Sequence, residues 1–323
     1  MGESPPVALA PLSGLTDVAF RRIARRFGAD FVVSEMVAAH GLVRGEEEAR
    51  LRSEGTGVSP HIVQLAGRDP TWMAEAARLA EGAGANVIDV NMGCPAKKVT
   101  GGLAGSALMR EADLALRIIE SAVSAVTVPV TVKMRLGWDA QCLNAPEIAR
   151  RAAELGIAAV TVHGRTRQQF YTGCADWQAV VATVRACPAP VIVNGDIVDA
   201  ASARAALAAS GAAGVMVGRA ALGRPWLLGE ISRALAGLPT LDIPPSVKTE
   251  AAIEHYEGML ALYGPRMAVR HARKHLAAYA DCASLEGFGL PPGERMELVT
   301  SEDPTRVRSI LGRLRSSGTR MAA

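Results

Sequence analysis

Between residues 7 and 236, a short apolar segment followed by a helix-forming pattern recurs eight times. The apolar segments cover residues 7–10, 31–36, 61–65, 86–91, 129–134, 158–162, 190–193 and 213–217. The first helical pattern opens on Thr16 as a cap and closes at Gly28, and the second runs to about residue 52. The rest cover 70–82 behind Pro70, 106–126 with Asp113 as an internal cap, 144–155 with Pro146 in its first turn, 176–186, 199–209 and 225–236. Strands alternating with helices build a parallel sheet. Eight units in about 236 residues are the count and length of a (β/α)8 barrel, so the expected class is α/β, a TIM barrel. The competing arrangement is a doubly wound open sheet. No GxGxxG follows the first strand, which weighs against a dinucleotide-binding version of it.

Composition agrees with many small helices around an aliphatic core. The chain is 49% hydrophobic yet holds only four Trp, four Tyr and five Phe. Its 323 residues suffice for a barrel and an appendage. No run of 18 apolar residues and no secretory pattern occurs, so a cytoplasmic protein without a membrane partner is expected. Cys94, Cys142, Cys174, Cys187 and Cys282 are scattered and form no CxxC pair, which argues against a disulfide framework and a zinc or iron–sulfur site. No metal is expected. A net charge of +3 restricts any nucleic-acid surface to a local patch.

The strand ends carry the sharper signal. Val130, Val132 and Met134 share one face of the fifth strand, so Thr131, Lys133 and Arg135 share the other. In the sixth, Val160 and Val162 oppose Thr161, His163 and Arg165. Glu35, Gln64, Asn91 and the Asn194-Gly195-Asp196 turn add polar groups at the same height on four more strands. Polar side chains inside a barrel are costly unless paired or liganded. A shared polar pocket at the C-terminal mouth, where barrel active sites lie, accounts for all six.

Residues 86–99, NVIDVNMGCPAKKV, supply a thiol to that mouth. The strand alternation breaks at Met92-Gly93-Cys94-Pro95, which holds Cys94 on a stiff loop just past a strand end. Lys97, Lys98 and a glycine-rich turn at 101–105 follow. The loops after strands seven and eight, NGDI (194–197) and VGRAALGRPW (217–226), sit where barrels often bind phosphate. Gly195 and Gly218 let backbone N–H groups approach an anion, and Arg219 can pair with it bidentately. Lys133 suits negative charge on a reduced ring, and Gln64 offers a donor and an acceptor to the edge of a heteroaromatic one.

With these residues in view, the chain resembles the tRNA-dihydrouridine synthases, in particular the bacterial B-type branch. The matching segments include APLSGLTDVAFR (10–21), SEMV (34–37), VQLAG (63–67), IDVNMGCPAKKV (88–99), VKMRLGW (132–138), VTVHGRTR (160–167), ADW (175–177), NGDI, VGRAALGRPW and YGPRMAVRHARKH (263–275). The resemblance runs from about residue 7 to 280, with NMGCPAKKV and HGRTR its most specific parts. It implies an FMN-binding barrel over residues 1–240, an all-helical tRNA-binding domain over 241–323, NADPH as reductant and a tRNA uridine as substrate, with no DNA and no obligate protein partner. It implies FMN contacts from Pro11, Leu12, Ser13, Gln64, Lys133, His163, Asn194, Gly195, Asp196, Gly218 and Arg219. Cys94 becomes the proton donor, with Asn91 and Arg135 near the uracil. Ser13 stands where relatives more often have Ala.

The implied chemistry saturates the uracil C5–C6 bond, with hydride from flavin to C6 and a proton from the thiol to C5. A free thiol, with a pKa of about 8.5, is mostly protonated at neutral pH and can act as an acid. Lys97 and Lys98 are expected to point toward RNA phosphate. Arg266, Arg270, Arg273 and Lys274 recur on one face of a helix over 265–280, with His271 and His275 at its margins and Met267, Val269 and Leu276 directed elsewhere for packing. That face is expected to grip tRNA phosphate. Residues 285–295, rich in Gly and Pro, read as a loop. Two alternatives stay open: a dihydroorotate dehydrogenase-like flavin enzyme acting on a free pyrimidine, and a non-catalytic RNA-binding regulator.

Overall fold

A computed structural model describes residues 4–96, 99 and 104–315. Eight strands close into a parallel barrel in sequence order: β1 Val7–Leu9, β2 Phe31–Ala38, β3 Ile62–Ala66, β4 Val87–Met92, β5 Val130–Arg135, β6 Ala159–His163, β7 Val191–Asn194 and β8 Gly214–Val217. β1 closes the ring by pairing Val7 with Val215 and Leu9 with Val217. The open-sheet alternative is excluded by that closure. Period-two alternation divides each strand. Outward residues such as Leu9, Val63, Leu65, Val90, Val132, Met134, Val160 and Val162 are wholly buried under the helices. Inward, Ala8, Ala10, Val33, Ile62 and Met216 form a thin apolar floor. Above that floor the inward positions turn polar.

The helices are α1 Val18–Arg26, α2 Ala39–Val43, α3 Glu47–Ser53, α4 Pro70–Gly82, α5 Ala112–Val123, α6 Ala145–Glu154, α7 Val181–Ala186, α8 Ala200–Ser210 and α9 Leu227–Leu235. Three helix starts differ from expectation. Asp17, not Thr16, caps α1: its Oδ1 accepts from the Phe20 N–H at 3.0 Å, while the Thr16 hydroxyl accepts from Leu12 N–H. Asp113 lies inside the first turn of α5, because residues 105–110 form a separate 3-10 turn. The 176–186 stretch is likewise a 3-10 turn followed by the short α7.

After the barrel come α10 Pro245–Leu285, α11 Pro292–Thr300 and α12 Pro304–Leu311, which share a second apolar cluster with Ile23 and Trp226 of the barrel. α10 is broken at Gly264, whose φ of 70° and ψ of 158° suit glycine, and Pro265 then opens the second half without losing a hydrogen bond. The expected loop over 285–295 shrinks to residues 286–291. Pro292 begins α11 instead, since a proline in a first turn favours a helix.

The barrel and the C-terminal helices meet across a buried polar seam. Asp17 Oδ2 lies 3.2 Å from His255 Nε2, and His255 Nδ1 lies 3.1 Å from the Tyr279 hydroxyl. His275, expected at the margin of an exposed stripe, is only 1% exposed and packs edge-on to His255 at 4.6 Å. The ligand atoms of Asp17, His255 and His275 fall within 4.8 Å of one another, but Asp17 and His255 already pair with each other and with Phe20 and Tyr279. Burial pushes the Asp17 carboxyl up, yet His255, with His275 and the Phe20 N–H, outweighs this and holds it at about 2. Burial pushes the His275 imidazole down to about 3, helped by His255. Both folded values lie below the unfolded ones, about 3.9 for Asp and 6.5 for His. Their stabilisation is therefore complete above pH 6.5 and is lost as the pH falls toward 3, first through His275. Unfolding midpoints in urea are expected to drop steadily from pH 6.5 to 4, and His275→Asn is expected to flatten that slope. A wild-type midpoint that stays level over this range contradicts the assignment.

Candidate active site

Parallel register gathers the inward polar residues at the C-terminal end of the barrel in successive rows: Asn91 pairs with Lys133, Arg135 with His163, and His163 with Asn194. Glu35 joins from β2, where a register shift between Val33 and Met36 turns the strand.

Cys94 is half-buried on the loop after β4. Asn91 Oδ1 accepts from the Gly93 and Cys94 N–H groups at 3.2 and 3.1 Å. The Cys94 carbonyl accepts from Ser106 Oγ at 2.8 Å and from the Ser106 N–H at 3.1 Å. Gly105 permits this approach, because a Cβ there would sit 2.9 Å from the Cys94 carbonyl oxygen. Arg135 Nε donates to the Gly93 carbonyl at 2.9 Å, and its Nη1 donates to Thr166 and Phe170 carbonyls. The guanidinium expected near a substrate base therefore clamps the thiol loop to the segment after β6. Burial lowers Arg135 to about 10.

Lys133 Nζ donates to Asn194 Oδ1 at 2.9 Å, and Asn194 Nδ2 donates to the Met216 carbonyl. Burial, then Arg135, lowers Lys133 to about 8. His163 is neutral: burial followed by Lys133 and Arg135 pushes it down to about 2, and its buried Nδ1 has no hydrogen-bond partner. Gly195 (φ 118°) turns the chain beside it, and a Cβ there would lie 2.7 Å from Ala175 Cβ and 3.3 Å from His163 Cε1.

The carboxylate of Asp196 is taken up by donors of the protein itself. It receives Arg165 Nη2 at 2.6 Å and Nη1 at 3.0 Å, plus the Ala175 N–H at 2.7 Å. Burial pushes Asp196 up, but these donors outweigh it and hold it below the usual carboxylate range. Arg219 is 60% exposed, 3.8 Å from Asp196, with its guanidinium 4.8 Å above the Tyr171 ring. Gly218 lies half-buried beside it. Pro11 and Leu12 are half-buried and Ser13 is exposed on the loop after β1, where the Gly14 N–H donates to Glu35. Gln64 is fully buried, with both ends of its amide engaged: Nε2 with Asp89 and Oε1 with Asn91, each at 2.7 Å.

Lys97 and Lys98 lie outside the described residues. Arg266, Arg270 and Arg273 are exposed, and no ion pair among the described residues engages them; with His271 and Lys274 the last two bound an open concavity. Lys274 leans from this face onto the barrel, its Nζ 2.6 Å from where a Cβ on Gly14 would lie. Met267 is 50% exposed rather than packed, because it stands three residues before Arg270 and seven before Lys274, on the same exposed face of the helix. The sequence reading placed Arg165 on the inward face without a role, and it gave no signal for Tyr171 or Ser106. Tyr171 reaches the mouth only because the long segment after β6 folds back over it.

Closed parallel barrels perform chemistry at the C-terminal ends of their strands, and this mouth gathers a thiol, a desolvated ammonium and a neutral imidazole there. Fold and site together define a barrel enzyme. The family model for dihydrouridine synthases matches residues 8–287. A probable tRNA-dihydrouridine synthase of Rhodobacter capsulatus is 51% identical over 310 residues, 95% of this chain and 94% of that one. One of Rhizobium leguminosarum bv. phaseoli is 52% identical over 94% of this chain and 93% of its own length. The tRNA-dihydrouridine synthase B of Xanthomonas axonopodis pv. citri is 46% identical over 86% and 84%. The chain belongs to the dihydrouridine synthase family. Among solved structures, a histamine dehydrogenase from Rhizobium shares the fold, with a TM-score of 0.52 at 13% identity over 78% of this chain and 48% of that one. No helix among the described residues is long and apolar enough to cross a membrane.

Proposed function

We propose that this protein reduces a uridine of tRNA to dihydrouridine, with FMN held at the barrel mouth and NADPH as reductant. The observation that carries the reading is Cys94, fixed by Asn91, Ser106 and Arg135 on a loop beside the buried Lys133. The relatives' names give the same activity. The residues present suit a flavin. His163 keeps a buried, unpartnered ring nitrogen, Lys133 is a desolvated cation, and Gly195 lets the turn after β7 pack directly against Ala175 and the His163 ring. Gln64, engaged by Asp89 and Asn91, has one amide N–H and one lone pair that those two bonds do not use. Pro11, Leu12, Ser13, Asn194, Gly195, Asp196, Gly218 and Arg219 complete the site, Asp196 through its backbone.

Bound there, a reduced flavin supplies the hydride that adds to C6 of the uracil. Cys94 gives its proton to C5: the S–H bond breaks, the C5–H bond forms, and the thiolate regains a proton from water. Taking the uridine out of the folded RNA costs a few kcal/mol, which contacts elsewhere must offset. The protein is expected to purify yellow and, with NADPH, to form dihydrouridine in tRNA from a strain lacking its gene. Colourless protein that takes up no FMN on titration refutes the flavin reading.

Arg266, Arg270 and Arg273 expose their guanidinium groups on the helix from which Lys274 reaches Gly14 at the mouth, and they suit RNA phosphate. Arg270→Ala with Arg273→Ala is expected to weaken tRNA binding for all tRNAs alike. The slope of log affinity against log salt should become shallower by about two, roughly one per phosphate contact. Binding over a salt series measures this, and an unaltered slope places the tRNA elsewhere.

A further inference from the structure

The position of the Cys94 thiol traces back through a chain of buried side chains on neighbouring strands. Two N–H groups, of Gly93 and Cys94, point at Asn91, so Asn91 must turn its carbonyl oxygen to them. Its NH2 then faces away and donates to Gln64 Oε1 at 2.7 Å. Gln64 must in turn present its own NH2 on the far side, where Nε2 donates to Asp89 Oδ2 at 2.7 Å. The directions thus require an acceptor at position 89, and an ionised carboxylate can only accept. The other Asp89 oxygen accepts from Thr131 Oγ1 at 2.6 Å. Gln64, Asp89 and Asn91 are 0%, 4% and 6% exposed, so water cannot replace a lost partner.

We propose that Asp89 is a positioning residue for Cys94: its carboxylate sets the direction of the Asp89–Gln64–Asn91 relay, and the relay holds the thiol loop in place. This rests on the reading of Cys94 as the proton donor. Without an acceptor at 89 the two amides can reverse, which turns an NH2 of Asn91 against two backbone N–H donors and releases the loop.

Exchanging the polarity tests the relay. Asn91→Asp keeps the acceptor for the loop but gives Gln64 a second acceptor to face. Gln64 must rotate to donate to it, which turns Oε1 onto the Asp89 carboxylate, and two acceptors then oppose each other in a dry site. Single-turnover uridine reduction is expected to slow about 100-fold, the scale of a misplacement of about 1 Å. Iodoacetamide labelling of Cys94, followed by peptide mass spectrometry, is expected to quicken about ten-fold as the loop opens. Adding Asp89→Asn supplies the missing donor to Gln64 Oε1 and keeps an oxygen for Thr131. The double variant is expected to regain at least about ten-fold in rate and to label as the wild type does, because only a direct coupling lets two such losses cancel. Asp89→Leu removes the acceptor without adding charge. It is expected to slow reduction and quicken labelling, and Asn91→Asp does not rescue it. A double variant as slow as Asn91→Asp alone, or an Asp89→Leu protein that labels and reduces like wild type, overturns the proposal. If the wild type reduces no uridine, the functional reading fails, and the labelling series still decides the relay.

Discussion

Cys94→Ala is expected to slow uridine reduction on the order of 100- to 10,000-fold and to leave reduction of the proposed flavin by NADPH at the wild-type rate. The range is that for removing a positioned general acid. The two half-reactions separate because, in the proposed mechanism, the thiol serves only the proton step. The loop itself is held by backbone groups: the Gly93 and Cys94 N–H groups on Asn91, the Cys94 carbonyl on Ser106 and the Gly93 carbonyl on Arg135. Removing one sulfur disturbs none of these, so the protein should fold and bind tRNA normally. Rapid mixing resolves the two steps. Equal wild-type rates for both in the variant would remove Cys94 from the acid role.

Arg165→Ala has the largest expected effect on cofactor retention. Its fork binds both oxygens of Asp196, and it also donates to the Thr172 and Gly173 carbonyls. One side chain thereby ties the end of β6, the segment that carries Tyr171, and the turn after β7. Breaking a buried charge pair costs about 3–5 kcal/mol, but the Asp196 side chain is 31% exposed, so about 2–3 kcal/mol is the reasonable expectation here. Asp196 also holds a φ of 53°, a conformation that needs support from its neighbours. The 195–196 turn should loosen and FMN should be lost. Arg165→Lys should restore little, because an ammonium cannot bridge two carboxylate oxygens and two carbonyls at once. Flavin fluorescence titration and urea unfolding measure the two effects. Wild-type FMN affinity in Arg165→Ala would show that this ion pair does not shape the flavin site.

The barrel was legible because its evidence is local. A period of two in Val130–Arg135 and Ala159–His163 gives the inward and outward faces without knowledge of any neighbour. The same alternation, together with the resemblance, picked out Gln64, Asn91, Lys133, His163 and Asn194, and the closed ring brings them to the same end of the barrel. Caps were misplaced by a residue where two candidates stand side by side, as Thr16 and Asp17 do, since either can accept from a first-turn N–H. The glycine- and proline-rich 285–295 segment misled because Pro292 opens a helix as readily as it ends one.

The roles of side chains followed a different logic. Asp196 and Arg165 are 31 residues apart in the chain, Gln64 and Asp89 are 25, and His255 and Asp17 are 238. Whether Asp196 faces a phosphate or an arginine depends on which strands lie next to each other and how high each side chain reaches. His275 and Lys274, adjacent in sequence, part company for the same reason. One is sealed against His255, while the other crosses to Gly14 at the mouth. By itself the sequence determined the alternation of strands and helices, the inward row of polar residues and the stiff loop bearing Cys94, because these arise from periodicity and backbone restriction within a few residues. Only the tertiary structure decided which polar group meets which, because a hydrogen bond or ion pair forms within about 3 Å and that proximity exists only once the barrel has closed.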